Sequence, residues 1–188
     1  MARPRTYERG EVLRKATELF SRKGYEGAHL QELVEVTGLN RFSLYKEFGG
    51  KEGLFQAALD GYLERLGELN AHLQREPAGL ANVRSFYAAL LQQDFPHGCL
   101  AVNTIREKHV IPRRVYATIE RFAASAEASF RRNLAPACAH GELAADTDVD
   151  ALAKFLTALN MGLMSYAIVA PDAKNRASIV AMVERVLR

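Results

Sequence analysis

Apolar residues recur at steps of three and four through most of the chain, and no stretch of useful length alternates apolar with polar as a half-buried strand would. In residues 7–27, Val12, Leu13, Ala16, Leu19 and Phe20 form one helical stripe, and Gly24 follows Arg22-Lys23 as a stop signal. Leu30, Leu33 and Val34 give a second, short helix its inward face, with Gln31, Glu32 and Glu35 turned to water. Gly38 can take the positive φ of a tight helix-helix turn, and Leu39 can pin that turn to the core. Asn40 is suited to N-cap a third helix, which Leu44 and Phe48, four apart, bury on one side. Arg41, Phe42, Ser43, Tyr45 and Lys46 remain outside. After Gly49-Gly50, Lys51-Glu52 open a long helix carried by Phe55, Leu59, Tyr62, Leu66, Leu69 and Leu73.

Beyond residue 75, breaks are expected at Glu76-Pro77, Phe95-Pro96-His97-Gly98, Ile111-Pro112, Ala135-Pro136 to Gly141 and Pro171, dividing the chain into helical blocks. No fixed-period repeat or low-complexity tract interrupts them. The pattern predicts an all-α protein, with an N-terminal helix-turn-helix domain over 1–50 and a larger helical domain over 51–188.

The outward set on the third helix suits nucleic acid. Arg41 and Lys46 can pair with phosphates or guanine edges, Ser43 can bond to a phosphate or base, Phe42 can pack on a thymine methyl, and the Tyr45 hydroxyl can reach a phosphate. The alternative is a solvated charged face on a helical bundle. An outward Phe42 argues against it, because a large apolar group gains little there unless something covers it.

These landmarks, in order, resemble the tetracycline-repressor (TetR) family of bacterial transcription regulators: a first helix ending KGYEG, then LVEVTGLNRFSLYKEFGGKEGLF, then a wholly helical remainder. Val36-Thr37-Gly38-Leu39 is similar to the family's turn, Leu44-Tyr45 and Phe48 to its recognition helix, and Lys51-Glu52 with Leu54-Phe55 to the start of its fourth helix. The resemblance implies a homodimer on a palindromic double-stranded DNA operator, a small and largely apolar effector that releases it, and repression as the default. It also implies DNA contacts from His29, Asn40, Arg41, Phe42, Ser43, Tyr45, Lys46 and Lys51. The sequence departs from the family at His29, where a hydroxyl residue usually opens the second helix, and at Phe42, where a small residue is common. Its operator is therefore its own.

Composition sharpens this picture in one respect. The formal charge is +3, and residues 1–51 carry ten Lys or Arg against seven Asp or Glu while the remainder carries fifteen of each. The whole excess thus falls on the segment expected to meet phosphate. Arg3, Arg5 and Arg9 make a basic arm ahead of the first helix, suited to a minor groove or phosphate strand, or else simply a frayed terminus. A signal peptide is not expected, since Met1 to Gly10 lacks an apolar run. The apolar stretches look too short and interrupted to cross a bilayer, so the expected location is cytoplasmic, with no membrane partner.

With 48% hydrophobic residues the chain can bury a core of good size. Phe86, Tyr87, Phe95, His97, Cys99, Asn103, Phe122, Phe155, Asn160, Met161, Met164 and Tyr166 are candidates to line a mostly apolar effector cavity, each of them equally at home in a plain core. Leu152, Phe155, Leu156, Leu159, Leu163, Tyr166 and Ile168 cover more than one side of a helix, and Ile179, Val183, Val186 and Leu187 stripe the last. By resemblance, these two helices pair with their symmetry mates. Cys99 and Cys138 have no metal-ligand spacing, and neither a cofactor nor a metal is expected. A thiol chemistry of His97, Cys99 and Glu107, or redox sensing at Cys99, is the alternative function; no nucleophile turn or oxyanion-hole signature accompanies it.

Overall fold

A computed structural model describes residues 7–187 and is helical wherever it is regular. The helices are α1 (Arg9–Gly27), α2 (Leu30–Thr37), α3 (Arg41–Phe48), α4 (Lys51–Asn70), α5 (Leu80–Leu91), α6 (Leu100–Ile105), α7 (Arg113–Ala139), α8 (Val149–Val169) and α9 (Ala173–Val186), with a 3-10 turn at Ala71–Gln74. They form two compact units, Met1–Glu64 with Leu100–Thr118, and Arg65–Cys99 with Ile119–Arg188.

In the first unit, Val12, Ala16, Leu19 and Phe20 of α1 bury together with Leu33, Leu44, Leu54, Phe55, Ala58 and Leu59. Phe20 meets Phe55 edge-on with ring centres 4.7 Å apart, and Tyr25 lies 5.0 Å from Phe55. Such aromatic pairs hold relative orientation as well as area. Compactness therefore does not stop at residue 50. The first turns of α4 supply four of these ten core residues, and α6 with the start of α7 completes the unit.

The second unit is built on a cluster of Phe86, Tyr87 and Phe130, with Phe86 edge-on to both others at 5.3 Å. The Tyr87 hydroxyl donates to the Leu156 carbonyl at 3.0 Å, tying α5 to α8. Burial pushes that phenol well above its usual range. Asn133 is fully buried and fully satisfied: its Oδ1 accepts from Gly79 N and Asn82 Nδ2, and its Nδ2 donates to the Leu73 and Ser129 carbonyls. A buried amide with every bond made fixes one packing register.

Two sequence expectations need correcting. Pro136 does not end a helix but lies inside α7, which runs on to Ala139. An interior proline costs about 3 kcal/mol, and packing on either side offsets it, since Leu134 and Ala137 are both fully buried. The helix closes a turn later, where Gly141 takes φ 73° and the N–H groups of Gly141 and Glu142 donate to the Cys138 and Ala137 carbonyls at 3.1 and 2.8 Å. The second correction concerns membranes. At 21 residues, α8 is long and apolar enough to cross a bilayer by length and composition. Its face of Ala153, Leu156, Thr157, Asn160, Leu163, Met164 and Ala167 is nevertheless buried, as in the core helix of a bundle.

Candidate nucleic-acid interface

The helix-turn-helix is closed by its own backbone chemistry. Gly38 sits at φ 71°, and its N–H donates to the Val34 carbonyl at 3.1 Å to end α2. Asn40 then caps α3 with its side-chain oxygen, 2.8 Å from the Ser43 N–H. Gly49, at φ 75°, ends α3 through a 2.8 Å bond to the Tyr45 carbonyl. Leu39 and Leu44 anchor the turn and helix in the core.

The remaining face of α3 is open. Phe42 is 77% exposed and Tyr45 53%, with Arg41 and Lys46 exposed beside them and Ser43 half-buried. Phe48 is half-buried, with the Arg9 guanidinium over its ring at 4.9 Å. Charge is distributed unevenly over the unit. Arg14 and Lys15 pair with Glu11, Lys23 with Glu32, and Arg114 with Glu52. Among the described residues Arg41 and Lys46 have no such acid, so α3 presents cationic groups that the protein itself does not neutralise.

His29 lies exposed at the start of α2. Its backbone N–H donates to the Glu32 carboxylate at 3.2 Å. Lys23 and that N–H together hold the Glu32 carboxyl below its usual range. Lys51, expected on DNA, has a structural commitment. Its Nζ donates to the Glu26 carbonyl at 3.2 Å and rests over the Tyr25 ring at 4.6 Å, and partial burial lowers its pKa. Arg3 and Arg5 of the basic arm lie outside the described residues.

Glu107, which the sequence offered only as an acid beside a thiol, and Gly53, which it did not single out, hold this element in place. Gly24, at φ 75° and ψ 178°, breaks the regular run of α1, leaving Tyr25–Gly27 as a separate turn. The Tyr25 and Glu26 N–H groups would then be orphans, and the Glu107 carboxylate accepts both, at 2.8 and 2.9 Å. A Cβ at Gly24 would come within 2.7 Å of that carboxylate. Nothing local in the sequence marks Glu107. Gly53 is the other, because an added Cβ would stand 1.6 Å from the Phe48 carbonyl oxygen. A glycine in the first turn of a strongly patterned helix was the available signal.

The residues expected around an effector disperse. Phe86 and Tyr87 belong to the aromatic core of the second unit. Phe155 and Tyr166 face outward on α8, 47% and 43% exposed. Asn103 belongs to the first unit, where it donates to the Ser21 carbonyl at 3.2 Å. Cys99 is buried, while His97, Phe122 and Met161 are half-buried. Phe95 and Met164 do share a small cavity, joined there by Leu90, Leu91, Leu163 and Arg176. Glu107, committed to two backbone N–H groups, is not an acid waiting on a thiol.

Comparison with known proteins agrees with this arrangement. Residues 12–58 match the family described as bacterial regulatory proteins, tetR family, and residues 79–183 match the tetracyclin repressor-like C-terminal domain. The HTH-type transcriptional repressor ComR of Escherichia coli (strain K12) is 33% identical over 167 residues, covering 86% of this chain and 80% of its own. The HTH-type transcriptional regulator YezE of Bacillus subtilis (strain 168) is 32% identical over 180 residues, 92% of each chain. Among solved structures, a cysteine mutant of the TetR family transcriptional regulator CifR, complexed with 26 bp double-strand operator DNA, aligns with a TM-score of 0.83 at 32% identity. That alignment covers 100% of this chain and 98% of the other.

Proposed function

Because the chain belongs to the TetR family of bacterial regulatory proteins, we propose that it reads a palindromic operator with α3 and represses transcription until a small effector enters its second unit. It is a DNA-binding transcriptional regulator that works as a homodimer, and its relatives are regulators rather than enzymes. Its place of action is the cytoplasm, where the DNA is. In this reading DNA recognition belongs to residues 1–50, and effector binding and dimerisation to 51–188.

The observation that carries the proposal is the exposed face of α3. Phe42, 77% exposed, stands with two cations that have no acid partner among the described residues, on a capped helix anchored from its other side by the fully buried Leu44. Arg41 and Lys46 supply phosphate or guanine contacts, Phe42 and Tyr45 apolar and hydroxyl contacts, and Ser43 and Asn40 the closest approach of the helix N-terminus. His29 stands where the start of α2 can meet a phosphate, and Arg5 extends the footprint. Lys51 acts more by bracing the turn after Gly24 than by touching DNA.

The test is operator binding as a function of salt. On DNA flanking its own gene, the logarithm of affinity should fall linearly with the logarithm of salt concentration. Arg41→Ala and Lys46→Ala should each weaken binding and reduce the slope by about 1, with the melting temperature unchanged. Binding that ignores both salt and these substitutions would count against α3 as the reading helix.

The dimer surface proposed is the outer side of α8 and α9. Phe155, Tyr166 and Val169 follow one stripe of α8, Val169 being 80% exposed, and Met182 and Val186 stand out from α9. Over Gly162, on the same stripe, an added Cβ would meet nothing within 4 Å, leaving room for another helix to approach. Two heads held about 34 Å apart would meet successive major grooves. Introducing charge by Phe155→Glu with Met182→Glu should raise the dimer dissociation constant by at least about a hundredfold, read by sedimentation velocity, with helical circular dichroism preserved. A stable dimer in that double variant would place the interface elsewhere.

A further inference from the structure

Arg176 is a charged residue in an apolar position. On α9 it heads the stripe continued by Ile179, Val180, Val183 and Leu187, and it is 6% exposed. Elsewhere in the second unit arginines find carboxylates: Arg84 meets Glu184, Arg131 meets Asp150 and Glu127, and Arg132 meets Glu76. Among the described residues Arg176 has no hydrogen bond and no ion pair, and its Nε is buried without an acceptor. A guanidinium nitrogen held out of water without an acceptor is costly, and an anion beside it would relieve that cost.

What lies against Arg176 is a small cavity lined by Leu90, Leu91 and Phe95 from the end of α5 and its loop, and by Leu163 and Met164 of α8. It is closed down to little more than the space of one water molecule and is otherwise apolar. One turn back on the same face of α8, Asn160 is buried with its side-chain oxygen also lacking a partner. An unpartnered guanidinium nitrogen beside an apolar recess is the complement of a molecule that is anionic at one end and apolar at the other.

We propose that Arg176 is the anchor for the effector, and that the effector is a small organic carboxylate whose charged end pairs with the guanidinium while its short apolar body opens the cavity beside Leu163 and Met164. A planar guanidinium offers a carboxylate two parallel hydrogen bonds that a neutral group of the same shape cannot accept as well. Because the recess is nearly closed without ligand, occupancy must spread α5, α8 and α9, which gives the ligand a preference for one conformation over another. The binding step stands on Arg176 alone, while its consequence for transcription rests on the regulator reading above.

The experiment uses the full-length protein and titration calorimetry with sodium acetate, propionate, butyrate and hexanoate, each beside its neutral amide, and phosphate as an anion control. At least one carboxylate should bind saturably, with its amide and phosphate at least about tenfold weaker. Arg176→Met should weaken that carboxylate by a similar factor and raise the melting temperature of the ligand-free protein, because a buried N–H without an acceptor is gone. Arg176→Gln, checked by circular dichroism, repeats the binding arm should the methionine variant misfold. Carboxylates no better than their amides, or binding unaffected by either substitution, overturns the proposal. So does a variant that melts lower and dissociates to monomers, since the missing anion would then be a carboxylate of the second subunit. In a gel shift on the operator, a bound carboxylate should release the DNA. Binding without release would sink the effector role, whereas a ligand-free protein that ignores its operator would sink the regulator reading and leave the anion site standing.

Discussion

Gly53→Ala should unfold the junction between α3 and α4, lowering stability by at least about 3 kcal/mol and abolishing operator binding. A Cβ there would stand 1.6 Å from the Phe48 carbonyl oxygen, a backbone atom that cannot rotate away. Either α4 withdraws from the end of α3 or the last turn of α3 opens. Both movements disturb Leu54 and Phe55, which are fully buried against the first helix. The measurement is urea and thermal denaturation beside Gly61→Ala and Gly67→Ala, two positions on the same helix with open space where a Cβ would go. Those controls should gain about 0.5–1 kcal/mol from helix propensity. A Gly53→Ala protein as stable as its controls would mean that α3 and α4 do not approach one another as described.

Leu44→Ala should cost about 2–5 kcal/mol. The side chain is fully buried and is the apolar anchor of an eight-residue helix that has little else to hold it in register. A short helix draws its stability from packing rather than from propensity, so the cavity left behind is felt across the whole turn. Phe42→Ala, two residues earlier on the open side, should leave the melt within about 0.5 kcal/mol of wild type while weakening DNA. Chemical denaturation of the two variants together with operator titration separates the faces. The opposite pairing of effects would invert the assignment of which side of α3 meets nucleic acid.

The reading head was largely legible before any coordinates, for a physical reason. Gly38, Asn40, Leu44 and Gly49 act within four residues of themselves, through a left-handed turn, a cap and one buried side chain, and local chemistry leaves local traces. The stripe of α4 and the exposed apolar sides of α8 and α9 were readable for the same reason, as helical period is visible in a single segment. The cavity was not. Aromatic and sulfur-bearing residues suit a core and a pocket equally, and only packing decided that Phe86 and Tyr87 fill the interior while Phe155 and Tyr166 face outward. The bond that Lys51 makes was not readable because its carbonyl partner, Glu26, is twenty-five positions away. Pro136 misled because the burial of Leu134 and Ala137 outweighs a local penalty. Arg176 did leave a trace, a cation on an apolar stripe, although what faced it was not readable.

The carboxylate of Glu107 stands in for the hydrogen-bonding that the chain forfeits at Gly24, and it does so from eighty-two positions downstream. Exchanging recognition heads between relatives by cutting after the second glycine of Gly49-Gly50 would thus transplant a turn without its keeper. A working chimera has to carry its own α6 segment along, or be matched to a recipient that offers an acid at the same point in space.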